Sequence, residues 1–231
     1  MMHQQIGKKQ KYFIYFLFFL FLSTINNPNL IKNMELLFTI KDIEVSGLTK
    51  NLNLDIKKKF ENLLNKNIYF VKKDYFKNQL DFFNYLENYK VFKLYPSKIA
   101  INLTQTNLLA TTIKNNKKYF IGSNGKFINH DIMNFNKDLP NVFGNFSSED
   151  FILFKKIITE TNFGYQNIKD IFFFPSGRWD IKTKNKITIK LPKEDINSAF
   201  IIARKLIKNN QLNNNNVIDL RIANQVILLN E

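Results

Sequence analysis

Apolar and polar positions follow three different patterns along this 231-residue chain, and the first is an uncharged apolar run from Tyr12 to Ile25. The run is shorter than the roughly 20 residues that cross a bilayer as a straight helix. It nevertheless lacks the polar face of a helix in a soluble protein. We therefore predict an uncleaved signal-anchor and its juxtamembrane linker over residues 12–33. A cleaved signal peptide is the second choice, because the residues after the run match a cleavage site poorly.

Charged residues before the run predict its orientation. Lys8, Lys9 and Lys11 lie in the tail that we assign to residues 1–11, and no acidic residue precedes Glu35. Under the positive-inside rule, these lysines keep the N-terminus in the cytoplasm. The rest of the chain is then expected on the other side of the membrane.

Residues 39–107 carry the second pattern, in which strand-like and helix-like periods follow each other. Period-two alternation predicts strands at 39–48, 89–95 and 99–104. Between the first two, apolar residues recur at helical spacing in two groups: Ile56, Phe60, Leu63 and Leu64, then Phe76, Leu80 and Phe83. The order strand, helix, helix, strand, strand predicts one compact domain.

Residues 108–231 carry the third pattern, a series of short strands with two helices. Ser147 and Asp150 have the spacing of a capping box that opens the first helix, and the second helix follows Pro192. The last predicted strand runs from Val217 to Leu228. These patterns predict a mostly antiparallel β domain with flanking helices, and an α+β fold for the chain.

The net charge of +15 comes from 34 basic residues against 19 acidic ones. Basic chains often bind nucleic acids or anionic surfaces. Only Arg178, Arg204 and Arg221 are arginines, however, and arginine is the usual bidentate partner of bases and phosphates. Lysine is abundant together with Asn, Ile and Phe, which AT-rich genes over-supply. We therefore attribute the charge to nucleotide composition rather than to nucleic-acid binding.

No group of residues forms a recognisable catalytic motif. The chain has no cysteine, which excludes a disulfide framework, a Cys-ligated zinc site and a thiol nucleophile. We interpret His130 and Asp131 as a polar loop pair, because no nucleophile motif such as G-x-S-x-G accompanies them. Residues 122–126 lack the spacing of a phosphate-binding loop. We predict no enzymatic activity, no cofactor and no metal site.

Binding through a surface is then the expected activity, and the terminal strand is the best candidate. An edge strand presents unpaired amide and carbonyl groups, to which a partner strand can add by β-augmentation. In residues 217–226 we expect an inward side of Ile218, Leu220 and Ile222 and an outward side of Asp219, Arg221 and Ala223. The alternative is an edge strand that pairs with nothing.

Five short motifs follow one another beyond the apolar run. They are Val45-x-Gly47, Tyr95-Pro96, Leu139-Pro140-x-x-x-Gly144, Gly177-x-Trp179 and Asp219-Leu220-Arg221. In this order, behind a basic tail and one apolar segment, they resemble the bacterial cell-division family FtsQ, called DivIB in some bacteria. The resemblance implies a POTRA domain of βααββ order at residues 39–107 and a β domain at residues 108–231.

The resemblance also implies a function and a set of contact residues. Members of the family are non-enzymatic parts of the divisome that link early and late division proteins at the septum of the inner membrane. Their β domain binds the FtsB–FtsL pair through its C-terminal strand, and their POTRA domain contacts other divisome members. The positions that match this strand are Leu220, Arg221, Ile222, Ala223, Asn224, Gln225 and Val226.

Two other classes of protein are kept as alternatives. One is a POTRA-containing export or assembly factor. The other is a secreted basic protein that binds polyanions or the cell wall, which a strongly salt-dependent affinity would reveal.

Overall fold

The structure is a computed structural model, and it describes residues 8–25, 36–133, 138–212 and 214–230. The chain divides into two compact units. The first comprises Met1–Phe82 with Asn88–Thr104, and the second comprises Phe83–Glu87 with Gln105–Glu231.

Helix α1, Lys8–Ile25, contains the apolar run. Every residue from Tyr12 to Leu22 is a large hydrophobic residue, and each of these side chains is exposed. Among the helices of the described ranges, none combines the length and the hydropathy that a membrane span requires. Residues 1–7 of the expected tail and residues 26–33 of the expected linker lie outside the described part of the chain.

The first unit has the predicted order of one strand, two helices and two strands. Its strand β3 lies between β1 and β2, and β1 runs parallel to β3. The elements are β1 Asp42–Ser46, α2 Lys50–Phe60, α3 Lys73–Leu80, β2 Leu86–Leu94 and β3 Lys98–Gln105. Helix α3 ends at Leu80, so Phe83 lies beyond the helix to which its spacing assigned it.

The core of the first unit forms between its sheet and its two helices. The buried residues are those of the predicted alternating and helical stripes, among them Ile43, Ile99, Ile101, Ile56, Phe60 and Phe76. Gly47 follows β1 with a φ of 106°, and a Cβ there would lie 1.8 Å from the carbonyl oxygen of Leu103. Only glycine fits this position, because it has no side chain and adopts positive φ without strain.

The second unit is built on one nine-stranded sheet with the order β12-β11-β10-β9-β8-β7-β4-β5-β6. Five neighbouring pairs are antiparallel, whereas β4–β7, β7–β8 and β10–β11 are parallel. The strands are β4 Leu108–Lys114, β5 Lys117–Gly122, β6 Phe127–Asn129, β7 Asn141–Phe143, β8 Ile168–Phe173, β9 Trp179–Thr183, β10 Thr188–Lys190, β11 Val217–Asp219 and β12 Ile227–Leu229. The mostly antiparallel β domain is therefore confirmed.

Two helices, α4 Ser148–Glu160 and α5 Ile196–Lys208, flank this sheet. The predicted capping box is present, since the Ser147 hydroxyl accepts from the Asp150 N–H at 3.1 Å. On one face of the sheet, a row of apolar residues that pair across neighbouring strands packs in the same core as the helices. The row is Val142, Ile171, Ile181, Ile189 and Ile218. Trp179 is buried beside this row and stacks on Phe154 of α4 at 4.6 Å.

The prediction of a single strand from Val217 to Leu228 is wrong. The chain instead forms two short strands, β11 and β12, that pair antiparallel. Asn224, with a φ of 62°, lies in the segment that reverses the chain between them. Asparagine tolerates this left-handed conformation better than most residues, so the apparent alternation ends without a glycine. The expected facing also fails at two positions, because Asp219 is buried and Ile222 is exposed.

Candidate partner-binding site

One edge of the nine-stranded sheet is formed by β12, which pairs with β11 on one side and with none of the other described strands. Within the predicted binding segment, the strand that can accept another strand is therefore Ile227–Leu229, and not the segment 220–226. Ile227 and Leu229 are both exposed. A strand of three residues offers few main-chain groups, so additional contacts are needed for a stable complex.

The seven residues predicted to bind a partner form the connection between β11 and β12. Leu220 is buried, and its N–H donates to the Lys190 carbonyl at 2.9 Å, which fixes the start of the segment. The other six, Arg221 to Val226, are exposed. The turn is closed by the Gln225 N–H, which donates to the Ile222 carbonyl at 3.2 Å. The structure thus brings the predicted residues together, but in a loop.

This loop forms one side of a groove with a volume of about 470 Å³. The other side is the beginning of α5 and the residues before it. Ala199, Ile202, Ile222 and Val226 give the groove an apolar lining, and Glu194, Asp195 and Ser198 give it polar groups. We call this the terminal groove. It combines an apolar surface with a few polar groups, as binding sites commonly do.

The helix side of the terminal groove is held by the N-cap of α5. Asp195 has a φ of 54°, and its side chain accepts from the Ser198 N–H at 3.4 Å. A carboxylate at this position satisfies an amide of the first turn and interacts favourably with the helix dipole.

An ion pair lies where β11 enters the loop. Arg221 Nε lies 2.9 Å from Asp219 Oδ1 and 3.0 Å from Oδ2, with a further bond through a terminal nitrogen. The hydrogen bond from the Arg221 side chain holds the pKa of the buried Asp219 carboxyl below its usual range. Arg221 is therefore held in one orientation while its guanidinium is partly exposed.

A second ion pair of the same spacing lies at the start of β9. Arg178 Nε lies 3.1 Å from Asp180 Oδ1, and that oxygen also accepts from the Leu191 N–H at 3.2 Å. Burial raises the pKa of Asp180, and the bonds from Arg178 oppose that rise. Asp180 pairs across the strands with Lys190, which in turn pairs with Asp219. The sheet face opposite the core row therefore carries alternating charges.

Sequence reasoning missed this charged row and the helix side of the groove. The row had a usable signal, since Arg178-x-Asp180 and Asp219-x-Arg221 place opposite charges on one face of a strand. No sequence signal pointed to Ser198, Ala199 and Ile202, because only the tertiary fold brings α5 beside the loop.

The remaining candidates have ordinary surroundings. His130 stacks on Phe120 at 4.7 Å, and the Asp131 N–H donates to Asn129 Oδ1 at 3.1 Å, so both belong to a short turn after β6. Lys8, Lys9 and Lys11 are exposed on α1. Within the described ranges, no cluster of three or more His, Asp or Glu residues could hold a metal ion.

Comparison with known proteins gives two adjoining matches. A family model described as POTRA domain, FtsQ-type, matches residues 38–105. A second, described as cell division protein FtsQ/DivIB, C-terminal, matches residues 110–221. Between them they account for most of the chain and follow the order of its two units.

Two curated proteins are also similar to the chain. The cell division protein FtsQ of Rickettsia typhi (strain ATCC VR-144 / Wilmington) is 27% identical over 199 residues, covering 83% of this chain and 72% of that protein. The cell division protein FtsQ of Bradyrhizobium diazoefficiens (strain USDA 110) is 23% identical over 143 residues, covering 60% of this chain and 41% of that protein.

Proposed function

The chain belongs to the FtsQ/DivIB family of cell-division proteins, and on this premise we propose that it is a membrane-anchored, non-enzymatic scaffold of the divisome. It binds the FtsB–FtsL pair at the division septum and links early to late division proteins. The observation that carries the proposal is the pair of FtsQ-type matches, which follow one another in the order of the two units.

Binding of FtsB–FtsL is assigned to the terminal groove together with the edge strand β12. The edge supplies main-chain groups for an added strand, and the groove beside it takes an apolar side chain of the same partner. Ile222 and Val226 are exposed on its loop side, and Ile202 is exposed on its helix side. Partner residues that cover these side chains remove apolar surface from water.

Anchoring is assigned to α1. Its apolar side chains from Tyr12 to Leu22 are exposed, and a surface of this size is stable in water only when something covers it. Lys8, Lys9 and Lys11 at its start keep the tail in the cytoplasm. The POTRA domain and the β domain then lie outside the cytoplasm, where the POTRA domain contacts other divisome members.

Co-purification tests the function. The tagged full-length chain is expected to recover FtsB and FtsL from detergent-solubilised membranes. Val226→Asp, which places a charge in the terminal groove, should lose both partners because a buried unpaired charge is costly. The matched control is Ile113→Asp, at an exposed position of β4, which should keep them.

Two outcomes would overturn the proposal. Recovery of export or assembly proteins without FtsB and FtsL would assign the chain to the first alternative class. Salt-sensitive retention on DNA or anionic glycan, with no divisome protein recovered, would assign it to the second. Retention of FtsB and FtsL by both variants alike would keep the function and overturn the groove.

A further inference from the structure

The first unit carries an exposed group of large side chains beside the residues that precede β1. The group comprises Leu36, Leu37, Tyr69, Phe70 and Tyr95, each more than half exposed. We call it the aromatic patch. Phe70 is 82% exposed, and it lies next to Tyr69 in a group of exposed apolar side chains, which is the feature that marks an interaction surface.

Hydrogen bonds and ring contacts hold the patch in place. The Ile68 N–H donates to the Phe38 carbonyl at 2.9 Å, and the Tyr69 N–H donates to Asn67 Oδ1 at 2.9 Å. The Tyr69 ring meets Phe38 edge-on at 4.8 Å and stacks on Tyr95 at 5.0 Å. These contacts tie the loop before α3 to Phe38, which precedes β1, so the aromatic rings are presented by a defined backbone.

Lysines surround the apolar groups of this surface. Phe70 lines a cavity of about 520 Å³, where Leu63 and Val71 contribute apolar groups. The exposed residues Lys66 and Lys72 line it as well, and together they outweigh the one carboxylate there, that of Asp74. On the other side, Lys93 Nζ donates to the Tyr69 carbonyl at 3.3 Å. Aromatic rings with lysines at their margin are the composition of surfaces that rest in a membrane interface.

The connection to α1 limits how far the patch can lie from a membrane. Ten residues separate Ile25, at the end of α1, from Leu36 at the start of the patch, and a chain of this length spans at most about 40 Å. The tether keeps the patch at a high effective concentration beside the bilayer, so a weak contact is sufficient to hold it there.

We propose that the aromatic patch rests on the surface of an anionic lipid bilayer, with its rings among the headgroups and Lys66, Lys72 and Lys93 facing the lipid phosphates. This inference rests on the anchoring of α1 proposed above. An anionic bilayer fits better than a second copy of the chain, because two copies that each carry a net charge of +15 repel one another. A lipid surface supplies the opposite charge.

The test places a tryptophan in the patch of the full-length chain. Phe70→Trp and the control Phe82→Trp are reconstituted in vesicles of phosphatidylglycerol and acyl-brominated phosphatidylcholine. Phe82 has the same 82% exposure as Phe70, but the two flank opposite ends of α3, about 12 Å apart along its axis. Both variants retain Trp179, so the difference between them reports only the introduced residue.

The proposal expects the Phe70→Trp emission to shift to shorter wavelength and to be quenched by the brominated lipid, with neither change in Phe82→Trp. Flotation of the vesicles is measured on the same samples. If the chain floats without selective quenching at position 70, the patch does not contact the bilayer, although the anchor is intact. The patch is then assigned to a protein partner. A chain that fails to float overturns the anchoring, and the patch contact with it.

Discussion

Ile222 gives the most direct quantitative test of the terminal groove. Burying a whole isoleucine side chain is worth about 1.5–3 kcal/mol, and Ile222 is 54% exposed. Covering the exposed part is therefore worth about 0.8–1.6 kcal/mol by the same area rule. Ile222→Ala removes most of this surface, so we expect a loss of about 1 kcal/mol, or about a fivefold rise in Kd.

The measurement is a titration of the soluble FtsB–FtsL pair against the full-length chain in detergent, followed by calorimetry or fluorescence anisotropy. Ile113→Ala is the matched control, because Ile113 is 62% exposed and lies on β4. Five strand spacings separate β4 from β11, which is about 24 Å. Equal Kd values for Ile222→Ala and Ile113→Ala would refute the assignment of the partner to the groove.

Three further predictions concern the loop, a glycine and the buried carboxylates. Ile222→Pro should leave the second unit folded because Ile222 lies outside any strand. Ile218→Pro should lower the free energy of unfolding in urea by several kcal/mol, because β11 has a neighbouring strand on each side and proline removes a ladder hydrogen bond. Equal losses in the two variants would contradict the hairpin. Gly47→Ala should destabilise the chain by several kcal/mol, since its Cβ would meet the Leu103 carbonyl. Gly125→Ala should cost less, about 1–2 kcal/mol, because the φ of 72° is the only strain there and the nearest added contact is at 3.9 Å. Because the folded-state pKa of Asp219 is lowered, its contribution to stability is present above its unfolded pKa of about 3.9 and is lost as pH falls through the folded value. Asp180 has a raised pKa, so its contribution to stability decreases as pH rises. Asp219→Asn should therefore make the free energy of unfolding fall less steeply on acidification, and Asp180→Asn should make it fall more steeply.

Much of the architecture follows from local sequence patterns. The βααββ order of the first unit is visible because each element has one apolar face, and periods of 2 and 3.6 distinguish strand from helix. Close packing also explains why glycine and tryptophan stand at their positions in the short motifs. Gly144 has a φ of 110°, and a Cβ there would lie 2.2 Å from the Phe173 carbonyl oxygen. Trp179 packs between Phe154, Phe173 and Phe146, which explains why a large aromatic residue stands in that strand.

The parallel pairs of the sheet, by contrast, have no local signal. Strand β7 contains only Asn141–Phe143, and it pairs with β4 and β8, which are distant in sequence. Strand β11 lies parallel to β10 because α5 carries the chain back between them. An alternating pattern indicates which face of a strand is buried, but it does not identify the strands beside it in the sheet. The strand order therefore depends on the packing of α4 and α5.

The terminal segment shows how the same limit affects the site. Ile218, Leu220 and Ile222 continue an alternation that ends in the fold at Leu220, the last buried residue of the three. With no glycine or proline to mark a reversal, the pattern could not separate one long strand from two short ones. The distinction changes the proposed mechanism of binding: a strand would offer its partner a row of amides, whereas the loop offers Ile222 and Val226 as one side of a groove that α5 completes. Within this terminal segment, β12 is the strand that retains an edge for strand addition. Main-chain pairing and side-chain recognition are thereby assigned to different residues, and substitutions in the loop should affect affinity without disturbing the sheet.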